Sequence, residues 1–235
     1  KYALNYFDGS YVRSKADGDG TADGASITTG PPLAFGTHFG DAFDQGGSTV
    51  VSGSYAPLAA TWQRFSGSYN FTRAAVIPPG TKLDKFHAAY TTNPTADSVV
   101  GAMTGTATYN VIRGATAPTL NYGLGGATEE SGTLMTASFG ANFTTGQMDT
   151  VNLAGTFPDG SWTLTGGGVV LVNGWAPLTG GATLPTACAG VCSFVSGNAA
   201  YTFAGDSADG IVFSYHGIAS GSDFSAWSGA GVVTP

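Results

Sequence analysis

Residues 201–215 read YTFAGDSADGIVFSY, and this stretch decides the fold. Tyr201 and Phe203 alternate with small or polar residues before the central Gly-Asp-Ser-Ala-Asp-Gly. The same alternation resumes after it with Ile211 and Phe213. Alternation of this kind is typical of β-strands with one buried face, and Asp-Gly is typical of a tight turn because both residues tolerate a positive φ. The stretch therefore predicts a β-hairpin.

Ser207 offers a catalytic alternative, because Gly-Asp-Ser also presents the nucleophile in some hydrolases. A nucleophile elbow needs Gly-x-Ser-x-Gly between a strand and a helix, whereas this stretch has Gly-x-Ser-x-x-Gly followed by a strand pattern. In chymotrypsin-like proteases Gly-Gly-Pro follows the serine, whereas Ala208 and Asp209 follow it here. A carboxylate at that place would oppose the negative charge of an oxyanion. The hairpin is therefore favoured over the hydrolase.

The whole chain has the composition of a protein made of sheets and turns. Only 10% of its 235 residues are charged, against about a quarter on average, and 37 are glycine. Apolar segments alternate, or run for four to eight residues between glycines, and few of them show the spacing of a helix. These patterns predict an all-β fold.

Two regions differ along the chain. Residues 101–235 show short strands and turns at intervals of roughly 8–12 residues, which is typical of an antiparallel sandwich or barrel. Residues 1–100 contain paired prolines, Asp/Gly-rich turns and longer aromatic strands, which predict a smaller and looser sheet. The two regions are predicted to form an N-terminal β-rich part and a C-terminal antiparallel domain.

Cys188 and Cys192 are the two cysteines and lie in a long loop predicted after Val169–Val172. Their spacing favours a local disulfide, which would stabilise by only about 2 kcal/mol because the ring is short. A metal or redox pair is the alternative, but zinc needs further ligands nearby and redox pairs are usually Cys-x-x-Cys. A disulfide implies an oxidising compartment.

The charge pattern bears on partners and location. The formal net charge is -7, and Lys and Arg form no cluster, so nucleic acid and anionic membranes are disfavoured as partners. No apolar run approaches 18 residues, so no transmembrane helix is expected. The chain starts at Lys1 without an apolar leader, and we expect an extracellular or outer-membrane-side protein whose signal peptide has been removed.

Three aspartates form a candidate calcium site in KADGDGTADG. Asp17, Asp19 and Asp23 occupy relative positions 1, 3 and 7, at which oxygen ligands can wrap Ca²⁺. An EF-hand also needs glycine at position 6 and glutamate at position 12, where this chain has Ala22 and Thr28. An exposed polar turn is the alternative.

His38 is a candidate haem ligand, because Phe35 and Phe39 flank it in a predicted glycine-rich loop. An ordinary hydrogen-bonded loop histidine is the alternative. His216 falls on the strand face opposite Ile211, so we expect it to point into solvent or into a polar interior.

Few residues could support catalysis. Glu129 and Glu130 are the only glutamates, and adjacent residues point apart, so they do not form an acid/base pair. No Walker A loop, zinc-protease helix or dinucleotide fingerprint is present. General acid–base or nucleophilic chemistry needs at least two groups in register, so we predict that the protein is not an enzyme.

Two stretches resemble the barrel domain of transferrin-binding-protein-B-like bacterial surface proteins. Residues 131–153, SGTLMTASFGANFTTGQMDTVNL, are similar to a strand pair of that family. Residues 198–215, NAAYTFAGDSADGIVFSY, are similar to its closing hairpin, with Asp206 in place of a proline. The matching hairpin positions are Phe203, Gly205, Ala208 and Gly210.

The resemblance implies an up-and-down barrel of about eight strands, filled with side chains and joined to an N-terminal handle-like sheet. It also implies a non-enzymatic protein that binds a host protein or haem. We expect loops 31–47 and 173–198 to carry recognition, since loops on a rigid scaffold usually do. The alternative is a structural subunit that assembles into a surface layer or fibre through the strand edges of residues 1–13 and 229–235.

Overall fold

The computed structural model describes residues 2–7, 12–16, 33–35, 38–44, 49–66, 70–73, 77–82, 86–122, 128–184, 190–192, 194–220 and 224–235. The fold is all β, as predicted. The strands before residue 92 are β1 (Tyr2–Phe7), β2 (Val12–Ala16), β3 (Leu33–Phe35), β4 (His38–Asp44), β5 (Thr49–Tyr55), β6 (Ala60–Ser66), β7 (Asn70–Arg73), β8 (Ile77–Lys82) and β9 (Phe86–Thr91).

The remaining strands begin after the single α-helix of the described residues, α1 (Asp97–Ala102). They are β10 (Thr106–Tyr109), β11 (Val111–Ala115), β12 (Thr119–Tyr122), β13 (Thr128–Ser131), β14 (Thr133–Asn142), β15 (Gln147–Phe157), β16 (Gly160–Gly166), β17 (Val169–Val170), β18 (Trp175–Leu184), β19 (Gly190–Val191), β20 (Phe194–Ala204), β21 (Gly210–Ser220) and β22 (Phe224–Thr234). Short 3-10 helices cover Ala56–Leu58 and Leu171–Asn173.

The N-terminal strands form two sheets where the sequence predicts one. A five-stranded sheet has the order β2-β1-β9-β6-β5, and a four-stranded sheet has the order β3-β4-β7-β8. β8 and β9 are consecutive in the chain but belong to different sheets. Alternation predicts that strands exist, but it does not specify which strands pair, so the division was missed.

The C-terminal strands close into a barrel. β14, β15, β16, β18, β20, β21 and β22 pair in that order. β10 pairs with β14 and β11 pairs with β22, so residues 106–115 act as one strand that joins the two ends of the sheet. The ring therefore has eight antiparallel strands, which confirms the predicted barrel. Between Thr91 and Thr106 the chain passes from the five-stranded sheet to the barrel, and the domain boundary at residue 100 stays a prediction.

The predicted hairpin 201–215 is confirmed, and its turn is made differently than expected. β20 and β21 pair from Phe194↔Ser220 to Ala204↔Gly210. The positive φ angles fall on Gly205 (89°) and Ala208 (55°), not on the Asp-Gly pair. The turn thus begins directly after β20, and Asp-Gly lies at its end.

The predicted long loop over 173–198 is wrong, because β18 and the start of β20 lie within it. Ala176, Leu178, Ala182 and Leu184 alternate into the core along β18. The intervening residues are Pro, Thr and Gly, which resemble a loop in the sequence. Pairing with β16 on one side and β20 on the other nevertheless fixes this segment as a strand.

Large aromatic side chains fill the barrel, and glycines stand opposite them. Trp162 lies across from Gly155, and a Cβ atom at Gly155 would come within 2.6 Å of its Cζ2 atom. Tyr215 lies across from Gly229, where a Cβ atom would come within 2.5 Å of its hydroxyl. Trp227 faces Gly217 in the same way. Each indole or phenol ring therefore occupies the space that a side chain on the neighbouring strand would need.

The five-stranded sheet packs on the outside of the barrel. Its strands β1, β6 and β9 contact β21 and β22. Residues of both parts form one buried apolar cluster, namely Leu58, Ala60, Ala89, Ala204, Val212, Ala230 and Val232. Most of its members are small, which brings the two sheets close together. β21 and β22 are thereby covered on both faces, and burial accounts for their apolar outward side chains.

His87 joins the sheet to the barrel. Its side chain is fully buried, with Nδ1 2.8 Å from Thr116 Oγ1 and Nε2 3.1 Å from Thr119 Oγ1. A neutral imidazole has one donor and one acceptor nitrogen, and hydroxyls can serve both. Burial, and to a smaller extent the positive charge of Arg64, lowers the pKa of His87 to about 3. The histidine is therefore neutral in the folded protein.

His216 does not point into solvent, which corrects one of the two expectations for it. Its side chain is 2% exposed on the outer wall of the barrel, and Nε2 lies 3.5 Å from Asn198 Nδ2. β1 contacts β21, the strand that carries it. Burial lowers the pKa of His216 to about 3. The alternation along β21 correctly predicts the strand face on which His216 lies. It does not predict that the five-stranded sheet covers that face.

No helix in the part of the chain that the structure describes has both the length and the apolar character needed to cross a membrane.

The glycine opposite Trp227 gives a stability prediction. Gly217→Ala should lower the free energy of unfolding by roughly 1–3 kcal/mol, because the added methyl group overlaps the indole ring of Trp227. Urea unfolding of both proteins measures the difference. Gly101→Ala in α1 is the control, since nothing lies within 4 Å of its new Cβ atom. Equal effects of the two substitutions would contradict the packing.

The two buried histidines predict a pH dependence of stability. Their folded pKa of about 3 lies below the ordinary 6.5, so their contribution is complete above pH 6.5 and is lost as pH falls towards 3. The expected slope is about 1.4 kcal/mol per pH unit for each histidine. His87→Gln should remove about half of that slope between pH 6.5 and 5, as measured by urea unfolding. An unchanged slope would show that His87 titrates normally.

Candidate functional site

One end of the barrel is closed by α1, and we call it the α1 end. The turns 143–146, 167–174 and 205–209 all lie there, because each follows a strand that runs in the same direction. Val100 of α1 is 3% exposed and belongs to the core cluster of the barrel. The helix also contacts the 3-10 helix Leu171–Asn173. α1 therefore acts as a cover over this end.

The segment that leads into α1 is bonded to the hairpin turn. The Thr95 amide donates to the Phe203 carbonyl at 3.0 Å, and Thr95 Oγ1 donates to the Gly205 carbonyl at 2.6 Å. The Gly205 amide donates to the Asn93 carbonyl at 2.9 Å. These bonds, together with an isolated bridge between Pro94 and Ala204, hold residues 93–95 against the barrel. The start of α1 is thereby fixed in position.

A cleft lies between α1 and the 3-10 helix Leu171–Asn173, and one of its lining residues, Val172, is a large exposed apolar side chain. The cleft is lined by Thr95, Asp97, Val100, Leu171, Val172, Gly174, Tyr201, Thr202 and Phe203. The large exposed side chains at or next to these residues are Val99 (38%), Val170 (48%), Val172 (43%) and Trp175 (41%). We call these four the rim surface. Grouped apolar side chains on a soluble domain commonly mark an interaction site.

The chain concentrates negative charge in the barrel half. Residues 101–235 contain seven carboxylates and a single cationic side chain, Arg113, for a net charge of -6. Four exposed carboxylates lie at the α1 end, on α1, on β15 and in the 205–209 turn: Asp97, Asp149, Asp206 and Asp209. The rim surface therefore shares the α1 end with four exposed carboxylates, which we call the acidic border of this end.

Two tyrosines donate hydrogen bonds from the barrel interior to the turns of this end. Tyr109 Oη donates to the Ala208 carbonyl at 2.7 Å, and Tyr201 Oη donates to the Val170 carbonyl at 3.4 Å. Burial, with a smaller effect from Asp209, raises the pKa of Tyr109 to about 12. Burial alone raises the pKa of Tyr201. Both groups stay protonated and serve as hydrogen-bond donors.

Ser207 lies exposed in the hairpin turn, in the place predicted for it. Its amide donates to Asp209 Oδ2 at 3.4 Å. The two histidines whose side chains are described lie at the sheet–barrel contact, where they bond to Thr116, Thr119 and Asn198. The neighbour of Ser207 is thus a carboxylate, in agreement with a turn.

The predicted haem ligands occupy strands and not the predicted loop. Phe35 ends β3, and His38 and Phe39 begin β4, with Phe35 paired to His38. Gly40, one of the glycines that predict a loop, lies within β4. The side chains of these residues lie outside what the structure describes, so a haem site at this place stays a prediction.

The predicted calcium ligands Asp17, Asp19 and Asp23 lie outside the described residues, and that site also stays a prediction. Within the described residues, no group of three His, Cys, Asp or Glu side chains could hold a metal ion.

Cys192 is 7% exposed in the core cluster and is not a free thiol. Its predicted partner Cys188 lies outside the described residues, so the bridge between them remains a prediction.

The rim surface itself was not predicted from the sequence. The sequence feature that could have indicated it is the run VVLVNGW at 169–175, in which four apolar residues precede a turn. In the sequence alone, this run predicts the end of a strand that leads into a loop. Its functional interest arises only when the barrel brings it beside α1, roughly 70 residues earlier in the chain.

Comparison with known proteins gives structural neighbours only, because no protein-family model and no curated protein matches the chain. The isotype 1 transferrin-binding protein B of serogroup B Neisseria meningitidis is 16% identical, with a TM-score of 0.47, over 98% of this chain and 43% of that one. A double mutant of the Haemophilus parasuis Hp5 protein, a vaccine antigen, is 12% identical, with a TM-score of 0.44, over 100% and 45%. Intact Ap-TbpB, with its N and C lobes, is 12% identical, with a TM-score of 0.40, over 100% and 46%.

The chain spans less than half the length of these neighbours. Their names are those of the family that the two sequence motifs resemble. The barrel itself is established by its own strand pairing.

The bond between Thr95 and the hairpin turn can be tested by substitution. Thr95→Val keeps the shape of the side chain but leaves the buried Gly205 carbonyl without its 2.6 Å partner, at a cost of about 1–2 kcal/mol. The amides of Thr95 and Gly205 should then exchange with solvent faster, as followed by NMR. Thr92→Val, at an exposed position, is the control. Equal exchange rates in both variants would contradict the role of this bond.

Proposed function

We propose that this chain is a non-enzymatic binding module, secreted or displayed on a bacterial cell surface, and that its rim surface receives a protein partner. The observation that carries the proposal is the exposure of Trp175, Val170 and Val172 beside a cleft at a barrel end that is held in place. Tryptophan is enriched among the residues that dominate binding energy at protein interfaces. A partner that covers these side chains would remove their apolar surface from water.

The closed barrel supports this function because it supplies a rigid base. The turn 167–174 is bonded to the neighbouring turn, since the Leu171 amide donates to the Gly146 carbonyl at 2.9 Å and the Gly168 amide donates to the Met148 carbonyl at 2.8 Å. A surface that is already ordered loses little conformational entropy when a partner binds. The rim surface is therefore suited to binding without rearrangement.

The acidic border favours a partner whose contact surface is cationic around an apolar centre. Opposite charges at the edge of an interface accelerate association, and salt screens that effect. We expect the association rate to fall by about tenfold between low and high salt, in the range of electrostatic steering. The dissociation rate should depend mainly on Trp175.

The named function of the structural neighbours gives a first partner to test. They are called transferrin-binding proteins, and a host transferrin is accordingly the first candidate partner for this chain. The chain matches less than half of each neighbour, so its partner can differ from theirs.

Two other predicted functions have less support. Haem binding near His38 stays a prediction, and a hemin titration followed in the Soret region tests it. Assembly through the C-terminal strand edge is not supported, because β22 pairs with β21 on one side and with β11 and β12 on the other. Residues 229–234 therefore offer no free edge to a neighbour.

Surface plasmon resonance with the immobilised chain tests the proposal, with serum and purified transferrin in separate runs. Trp175→Ser should weaken binding by about tenfold or more, as expected for a central interface residue. Met135→Ser is the matched control, since Met135 is 62% exposed but lies on β14 towards the other barrel end. Binding that survives Trp175→Ser, or that is lost equally in both variants, would contradict the proposed surface. The run with purified transferrin tests whether this chain binds transferrin, after which the structural neighbours are named.

A further inference from the structure

Four polar atoms inside the barrel are buried without a hydrogen-bond partner among the residues that the structure describes. They are Trp162 Nε1, Trp227 Nε1, Tyr215 Oη and Ser225 Oγ. The four side chains are at most 1% exposed. Buried polar groups are nearly always hydrogen-bonded, to protein or to ordered water, so four such atoms in one interior require an explanation.

Three of the four side chains form one aromatic layer of the barrel. The ring of Trp162 lies 5.3 Å from that of Tyr215 and 5.7 Å from that of Trp227, measured between centroids. Ser225 precedes Trp227 by two residues on β22 and therefore faces the same interior. The layer lies on the side of the barrel away from α1, because Tyr215 and Trp227 are separated from the α1 end by Phe213 and Val233 along their strands.

The hydroxyl groups of the tyrosines nearer the α1 end do have hydrogen-bond partners. Tyr109 and Tyr201 donate their hydroxyl protons to the carbonyls of Ala208 and Val170, which belong to turns. Those two bonds show that this fold pairs buried phenols where a turn is within reach. Tyr215 lies deeper along the barrel, where the walls are strands whose backbone groups are already paired.

We propose that this layer of Trp162, Tyr215 and Trp227, together with Ser225 beside it on β22, binds ordered water inside the barrel. The two indole N–H groups can only donate, and the two hydroxyls can donate or accept. A water molecule accepts two hydrogen bonds and donates two, so it can serve indoles and hydroxyls together. Buried waters of this kind are regular parts of globular proteins.

NMR of the indole groups tests the proposal directly. The chain has four tryptophans, Trp62, Trp162, Trp175 and Trp227, and therefore four indole N–H signals, which single Trp→Phe variants assign. Trp162 and Trp227 should show cross-relaxation with water of the sign typical of long-lived contacts. Trp175 is 41% exposed and should show only the short-lived contact of surface water. Absence of long-lived water signals at both Trp162 and Trp227 would overturn the proposal.

A substitution gives a second, independent readout. Tyr215→Phe removes only the hydroxyl, so it should lower the melting temperature by about 2–4 °C if that hydroxyl binds water. The Trp162 water signal should weaken in the same variant. A rise in melting temperature would instead mean that the hydroxyl is truly unpaired, and it would overturn the proposal. Tyr201→Phe, which removes a hydroxyl with a known partner, calibrates the size of the loss.

Discussion

The contact between an aromatic ring and a glycine on the neighbouring strand is the constraint on which this structure depends. An eight-stranded barrel has an interior just wide enough for side chains. Two tryptophans and several phenylalanines and tyrosines can share it only because Gly155, Gly217 and Gly229 leave room across from the rings. A methyl group at any of the three would overlap an aromatic ring, so the high glycine content serves packing as well as turns.

Because side chains fill the barrel interior, a binding surface for a protein partner must lie on the outside. Side chains occupy the barrel, and the five-stranded sheet covers its β21–β22 wall, so neither surface is open to a protein partner. The α1 end keeps large apolar side chains exposed on segments that hydrogen bonds hold in place. The acidic border of this end adds a charge preference. The same barrel therefore has a closely packed interior and exposed apolar side chains at one end.

Much of the barrel could be predicted from the sequence, because alternation and turn residues report on local structure. The hairpin 201–215 and the barrel of about eight strands are examples. The sequence does not predict β18, since its outward residues after Trp175 are Pro, Thr and Gly, and pairing with a strand on each side fixes it as a strand. The rim surface was missed because it joins α1 to residues 170–175, which only the closed barrel brings together. His216 shows the same limit, since the sheet that buries it lies far away in the chain.

A double-mutant cycle at Gly217 and Trp227 tests the central claim most directly, because the atoms nearest to a Cβ atom at Gly217 all belong to the indole ring of Trp227. Gly217→Ala, Trp227→Leu and the double variant are compared by urea unfolding with the unchanged protein. The account predicts that Gly217→Ala is costly beside the tryptophan and mild beside the leucine, with a coupling energy above about 1 kcal/mol for residues in contact. Effects that add to within about 0.5 kcal/mol would show that the glycine does not make room for the ring, and they would contradict the account.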